Sequence, residues 1–307
     1  MTACAKACDP TAIQPNQAAG FLLALCGAFL FALVYALPKI GGTSIGIVQI
    51  AFFRFGFAFL SLLPMLALAR NRSAVRFTPP RLLHSLRSVF AIVSLAGGVY
   101  AAQHMLLADA MVLGNLKAVF VVLLAFLFLG EALTGRRLAA LALALAGAMV
   151  VVQPSASGLR ALVAEPAALA ALLGALAMAV EAVLLRRLST TDGTLPALVY
   201  FNGTAALLLL LAMPFVWQEP RPLDWLLLSA MGPLALLGNL CNVLAYRRVE
   251  ATRLVPYGYS MMIFSALIGW AVLAERPGLA TALGGALIAL AGWMVAREQR
   301  RPAPVAA

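Results

Sequence analysis

An apolar hairpin written twice constrains this chain more than any other feature. From Met111 the sequence reads MVLGNLKAVFVVLLAFLFLGE, breaks at ALTGRR, and returns as LAALALALAGAMVVVQ to Gln153. From Tyr257 it reads YGYSMMIFSALIGWAVLAE, breaks at RPG, and returns as LATALGGALIALAGWMVARE. Glu131 matches Glu275, and ALAGAMV (Ala144–Val150) matches ALAGWMV (Ala289–Val295). The arms run to about twenty residues, long enough to cross ~30 Å of hydrocarbon as a helix. An internal repeat of membrane-spanning halves is the pattern of a secondary transporter.

The rest of the chain is built the same way. It is 64% hydrophobic and 11% charged, with a mean hydropathy of +0.98. A soluble domain has roughly 45–50% apolar and about 25% charged residues. The excess is gathered into runs at about 20–38, 46–69, 88–103, 167–185, 195–216 and 225–246, besides the two hairpins. The sequence therefore predicts an all-α integral membrane protein of ten transmembrane helices. A net charge of +11 could suggest nucleic acid, but arginines between spans read as topology signals, so no nucleic-acid partner is expected. Cys26 and Cys241 sit inside apolar runs and read as packing residues. Cys4 and Cys8 lack the second pair that a zinc site needs, so no metal and no cofactor is expected.

With the N-terminus in the cytoplasm, the inner segments carry sixteen Lys and Arg and the outer segments four, leaving Arg54 and Lys117 inside the membrane. That bias fixes the orientation and places both termini inside, in a bacterial inner membrane. Five spans per half is an odd number, so the halves must be inverted relative to each other. The expected organisation is a cytoplasmic tail (1–19), a first repeat (20–154), a second repeat (155–298) and a short cytoplasmic tail (299–307). The Pro/Ser/Gly-containing stretch from Pro154 to Pro166 joins the halves.

With that pattern in place, the chain resembles a ten-helix member of the drug/metabolite transporter superfamily with two EamA-type repeats. The resemblance is carried by FLFLGE (Phe126–Glu131) with LAGAMVVVQP (Leu145–Pro154), and by VLAE (Val272–Glu275) with LAGWMV (Leu290–Val295). FFRFGFAFLSLLP (Phe52–Pro64) and LADA (Leu107–Ala110) also fit. It implies alternating access to a central cavity walled by spans from both halves. Such proteins often carry a proline in the fourth span, at positions occupied here by Lys117-Ala118; the ninth span reads Met261-Met262 there. The usual helix break is therefore expected to be shifted or absent.

A charge buried in lipid costs at least ~2.5–3.5 kcal/mol on insertion scales, so it should face a cavity or a partner. Arg54 and Lys117 fall in the outer half of their spans, with no acid of the first half at that depth. Two readings stand: snorkelling to the outer interface, or an electropositive vestibule for a carboxylate. Asn115 lies two residues from Lys117, and on one helix these do not share a face, so only one is expected to point inward. In the second half Asn202 falls near the place of Arg54, Tyr259 matches Asn115, Met261 matches Lys117, and Tyr257 lies close by. A cavity basic on one side and aromatic or amide on the other suits a zwitterion or an amphipathic organic anion. Asn239 and Asn242, three apart, share a face for interhelical hydrogen bonding or for substrate. Glu181 reads first as an interfacial pair with Arg186 and second as a proton site. His104 sits at an outer helix end and reads first as an interfacial residue and second as a coupling site. Glu131 and Glu275 read as helix terminators.

The preferred function is thus a secondary transporter of a small polar or amphipathic metabolite, amino-acid-like and carboxylate-bearing, with export the preferred direction. Its partners are the solute and the lipid bilayer, as a monomer or homodimer. The competing classes are a membrane enzyme acting on a lipid-linked substrate, for which the sequence holds no nucleophile–base set or phosphate loop, and a channel. The arginine bias makes a direct prediction. In a variant lacking the native cysteines, a cysteine placed near Arg76 should be shielded from an impermeant thiol reagent in intact cells. One placed near Gln218 should be labelled. Labelling near Arg76 from outside would sink the ten-span, N-inside topology.

Overall fold

Hydrocarbon offers no hydrogen bonds, so apolar runs of this length must satisfy their backbone internally, as helices. A computed structural model describes residues 15–42, 45–68, 81–129, 134–152, 165–188, 194–246, 248–249, 254 and 257–298, and every element among them is helical. The first half contains α1 (Pro15–Gly41), α2 (Ile47–Leu68), α3 (Arg81–His104), α4 (Leu107–Gly114), α5 (Lys117–Leu129) and α6 (Gly135–Val152). The second contains α7 (Pro166–Leu188), α8 (Thr194–Val216), α9 (Pro222–Tyr246), α10 (Ser260–Leu273) and α11 (Leu279–Glu298). By length and composition, α1, α2, α3, α7, α8 and α9 can each cross a bilayer, and α6, α10 and α11 are shorter apolar helices. Glu131, Cys4, Cys8 and Arg76 lie outside the described residues.

The fourth span is interrupted after all. α4 ends at Gly114, Asn115 and Leu116 form a turn, and α5 begins at Lys117. No proline makes this break. Asn115 caps α4: its backbone N–H reaches the Met111 and Val112 carbonyls, and its side-chain Nδ2 donates to Met111 O at 2.8 Å. The ninth span is interrupted at Tyr259, the residue preceding α10 and the sequence match of Asn115. The duplicated hairpin therefore breaks at the same register in both halves.

Packing follows an exchange symmetry. α1 lies on α9 and α3 on α7; α2 lies on α9 and α3 on α8; α1 packs against α10, and α4 and α5 against α7. α2–α8, α4–α10 and α6–α11 pair across the middle. Swapping each helix for its counterpart in the other half maps these contacts onto themselves, as two inverted five-helix repeats require. Close crossings use small residues, because two helices in lipid gain little from apolar burial and much from backbone approach. A Cβ on Gly97 of α3 would lie 3.0 Å from the Gly174 Cα of α7, and one on Gly147 of α6 would lie 2.8 Å from the Gly284 carbonyl oxygen of α11.

The two faces are finished differently. At the face where α1 ends, the halves are tied by polar bonds. Lys39 forms an ion pair with Glu275, whose other oxygen accepts the Leu107 N–H at 2.8 Å. The Gln49 side chain donates to Gln218 O (2.8 Å) and accepts from Gln218 N (2.9 Å), and the Gly46 N–H donates to Gln218 Oε1 (2.9 Å). Thr281 donates to Asp109 at 2.6 Å, and Arg221, paired with Asp224, donates to the Gly41 carbonyl. Glu275 thus does more than end a helix. Under this seal lies the main core, with Ile50, Val99, Ala102 and Leu107 almost fully buried. At the face where α1 begins, a small apolar cluster of Ala24, Ala245, Val249 and Leu254, flanked by Phe21 and Tyr257, joins α1 to the end of α9.

Two predictions test this packing. Gly97→Val should lower the melting temperature in detergent by overpacking α3 on α7, at a cost of about 1–3 kcal/mol. Gly56→Ala should be neutral, since nothing lies within 4 Å of its added Cβ. Glu275→Gln leaves the Lys39 charge uncompensated and should cost about 3 kcal/mol or more, whereas replacing both partners together with Met should cost less. Equal losses in the single and double variants would show that the pair does not hold the seal.

Candidate functional site

A cavity of about 590 Å³ occupies the half of the bundle toward the face where α1 begins. The position of its walls follows from helix direction. α3 contributes Arg87, Ala91, Ser94, Leu95 and Gly98, and α7 contributes Ala171, Gly174, Ala175, Met178 and Glu181. These spacings of three, four and seven are one face of a helix. α1 adds Ala24 to Tyr35, α2 adds Arg54 and Phe55, α8 adds Leu198 and Phe201, and α9 adds Asn239, Asn242 and Ala245. The two interrupted spans supply Asn115 and Lys117 on one side and Gly258, Tyr259 and Met261 on the other.

The breaks explain why Asn115 and Lys117 both face the cavity. On a continuous helix residues two apart diverge, but here Asn115 ends α4 and Lys117 starts α5. The expectation that only one points inward is corrected by the turn between them. Lys117 has no hydrogen bond or ion pair among the described residues. Tyr259 is among the lining residues, and its hydroxyl lies over Gly292 of α11, where any Cβ would overlap it.

Arg54 is 9% exposed and does not reach an interface. Its guanidinium carbon lies 4.1 Å from the centroid of Phe55 and 6.0 Å from that of Phe201, both aromatic faces that attract a cation. Its Nε and Nη1 have no hydrogen-bond partner among the described residues. Such a desolvated, unpaired cation is costly unless something anionic visits it. The Arg87 guanidinium carbon also lies over Phe201, 4.1 Å from the ring centroid, and its Nη2 bonds Glu181 Oε1 at 3.2 Å.

Several sequence readings change here. Hydropathy places Arg87 in the inner loop before the 88–103 run; it is a buried residue of α3, nearly two turns inside the helix start at Arg81. The helical stripe Arg87–Ala91–Ser94–Gly98 was the signal that could have found it. Glu181 pairs with this arginine and lines the cavity instead of serving the interface alone, and the Arg186 side chain lies outside the described ones. Tyr35, 8% exposed with its ring over Gly98, and Phe201 were missed because aromatic residues in an apolar run carry no polar signature. Asn239 and Asn242 share a face and both reach the cavity, with no hydrogen-bond partner for either side chain among the described residues.

Three expected residues lie elsewhere. Asn202 is 3% exposed and donates to its own helix, to Leu198 O at 2.9 Å. Its neighbour Phe201 takes the cavity position, because one residue is a 100° rotation on a helix. Tyr257 stacks on Phe21 at 4.7 Å in the apolar cluster. His104 is exposed at the opposite face, stacked on Tyr100 at 4.1 Å, with Nδ1 2.9 Å from Tyr100 O. The cavity therefore brings together Arg54, Lys117, Asn115, Tyr259, Asn239, Asn242 and Glu181, and leaves out Asn202, Tyr257 and His104. Among its described residues it holds three cations against one acid.

Known proteins share this sequence and this fold. The pseudopaline exporter of Pseudomonas aeruginosa is 31% identical over 92% of this chain and 97% of its own length. The S-adenosylmethionine uptake transporter of Rickettsia bellii is 24% identical over 85% of the chain and 89% of the relative. The riboflavin transporter of Rhizobium johnstonii is 29% identical over 82% and 81%. A solved crystal structure, 22% identical, covers 92% of the chain with a TM-score of 0.62 and has the same fold. The EamA-like transporter family matches the chain twice, over residues 18–153 and 165–297, once per repeat. On these two matches, the interrupted inverted repeats and the cavity between them, the chain belongs to the EamA-like transporter family and is a multi-pass membrane transporter of small molecules.

Proposed function

We propose that this carrier exports a small carboxylate-bearing metabolite across the bacterial inner membrane, with both termini in the cytoplasm. The observation that carries the reading is Arg54, a buried guanidinium with two unpartnered nitrogen atoms on a cavity that also holds Lys117. An anion entering the cavity would replace lost hydration with charge-assisted hydrogen bonds, each worth roughly 1.5–3 kcal/mol. Under the arginine bias, the open half of the cavity faces the cytoplasm and the polar seal faces outside. A cavity displaced toward the cytoplasm suits the loading step of an exporter. The pseudopaline relative is named an exporter, whereas the S-adenosylmethionine relatives are named uptake transporters, so family membership leaves direction to experiment.

The repeats at 20–154 and 155–298 would rock against each other about the break positions, without a chemical step on the solute. Few acids lie in the spans, so the reading is of a facilitator or exchanger, not a proton-driven pump. Trans-stimulation of counterflow in proteoliposomes distinguishes such a carrier from a channel or a membrane enzyme.

Lys117→Met removes one cavity charge at similar length. The protein should fold, and affinity for a carboxylate solute should fall about ten- to a hundred-fold. Lys117→Arg should restore it only in part, being wider and differently shaped. Arg54→Gln should act in the same direction. Measured on a panel of anionic, neutral and cationic metabolites by counterflow and thermal shift, unchanged affinity in a well-folded Lys117→Met carrier would reject the basic-cavity reading.

A further inference from the structure

We propose that Glu181 is a specificity-determining residue of this cavity, selecting solutes that carry an ammonium group as well as carboxylate. The inference rests on the carboxylate reading above and adds a second requirement to it. Glu181 is the sole acid among the described lining residues. It lies on the inward stripe of α7, in a cavity that Arg54, Arg87 and Lys117 also line.

The pair with Arg87 does not use the carboxylate up. One bond, Nη2 to Oε1 at 3.2 Å, is longer than the ~2.7–2.9 Å of a strong charge-assisted contact. Oε2 has no hydrogen-bond partner among the described residues. The Glu181 side chain is 19% exposed and that of Arg87 8%, so the acid is the more accessible partner, while the arginine lies against Phe201.

Neutralising an arginine is not sufficient reason for this acid. Arg54 sits beside the same Phe201 ring, as deeply buried, with no ion pair among the described residues. Burial beside Phe201 alone therefore does not bring an acid into direct contact with a guanidinium among the described residues. A site built for carboxylates alone would gain by lacking Glu181, since like charges repel across a cavity more strongly than in water. An acid kept on a basic wall, with one oxygen that has no partner among the described residues, fits a cation that arrives with the solute. Glu181 leans on Arg87. When a zwitterion enters, its carboxylates go to the cationic side, and the ammonium meets Oε2.

The test uses probe pairs that differ only in the amine: L-glutamate against glutarate, and L-phenylalanine against 3-phenylpropanoate. Binding is read as concentration-dependent thermal shift of the full-length purified carrier. The wild type should bind the amine-bearing member at least about tenfold tighter. Glu181→Gln should abolish that preference by weakening the amine-bearing member and strengthening its partner, and Glu181→Asp should retain it. Equal or tighter binding of the amine-free members by the wild type overturns the proposal, as does a preference that survives Glu181→Gln. A Glu181→Gln protein that does not fold moves the decision to Glu181→Asp and the wild-type preference. If no member of either pair stabilises the wild type, or if binding is untouched by Arg54→Gln, the carboxylate reading itself fails, and this inference with it.

Discussion

Hydrocarbon supplies neither hydrogen bonds nor counter-ions, so every helix end and every charge within this bundle must be covered by protein or opened to a cavity. The two interrupted spans obey that constraint. At Asn115 the freed end of α4 is capped by backbone and side-chain bonds, and the turn opens onto the cavity, not onto lipid. Lys117 can start a helix in mid-membrane for the same reason, and Arg54 can stay charged there because Phe55 and Phe201 present their faces to it. Without the cavity, the cost of these groups would have no compensation. The cavity and the breaks are thus one feature seen from two sides.

Inverted symmetry governs the scaffold but not the wall chemistry. Helix pairs exchange under the repeat, yet Arg54 has Phe201 and Asn202 near its counterpart position, and Lys117 has Met261. A symmetric site would present a solute with the same group twice. The lopsided one can bind a molecule whose two ends differ, while the scaffold keeps the freedom of two equivalent arrangements. Ends differ in the gates as well. One face is closed by directional polar bonds between the halves, and the other carries only a small apolar cluster between α1 and the end of α9.

The scaffold was legible because its signals are additive. Ten runs, a charge bias and a duplicated hairpin each leave a mark long enough to survive local ambiguity. The helix breaks were not legible, since the usual proline is absent and the cap is made by Asn115, which gives no distinctive pattern in an apolar run. The site was half legible. Lys117 and Arg54 stand out against Leu and Ala, and the pairing of Asn115 with Tyr259 came from the repeat. Arg87 was hidden by a hydropathy boundary drawn one residue too late, and Glu181 by the nearer basic residue in sequence, Arg186. Its partner in space is 94 residues away on another helix. Asn202 was misplaced because repeat alignment sets depth in the membrane more firmly than rotation about the helix axis.

The seal and the cavity draw on the same pairs of helices. α1 carries Tyr35 in the cavity wall and Lys39 one turn further on in the seal, and α2 carries Gln49 in the seal and Arg54 in the wall. Movement of either helix against the second half must therefore change both regions together. A bound solute can shift the balance between the two arrangements only by the difference in its affinity for them. Arg54 and Lys117 are placed for that, because each sits at the deep end of the cavity, next to the core that would part if the seal opened. A solute bridging them to Asn239 or Glu181 across the cavity pulls wall residues of the two halves together. If the solute binds there as proposed, the contacts that identify it would also be those that bias the carrier, and specificity and movement would draw on the same few side chains.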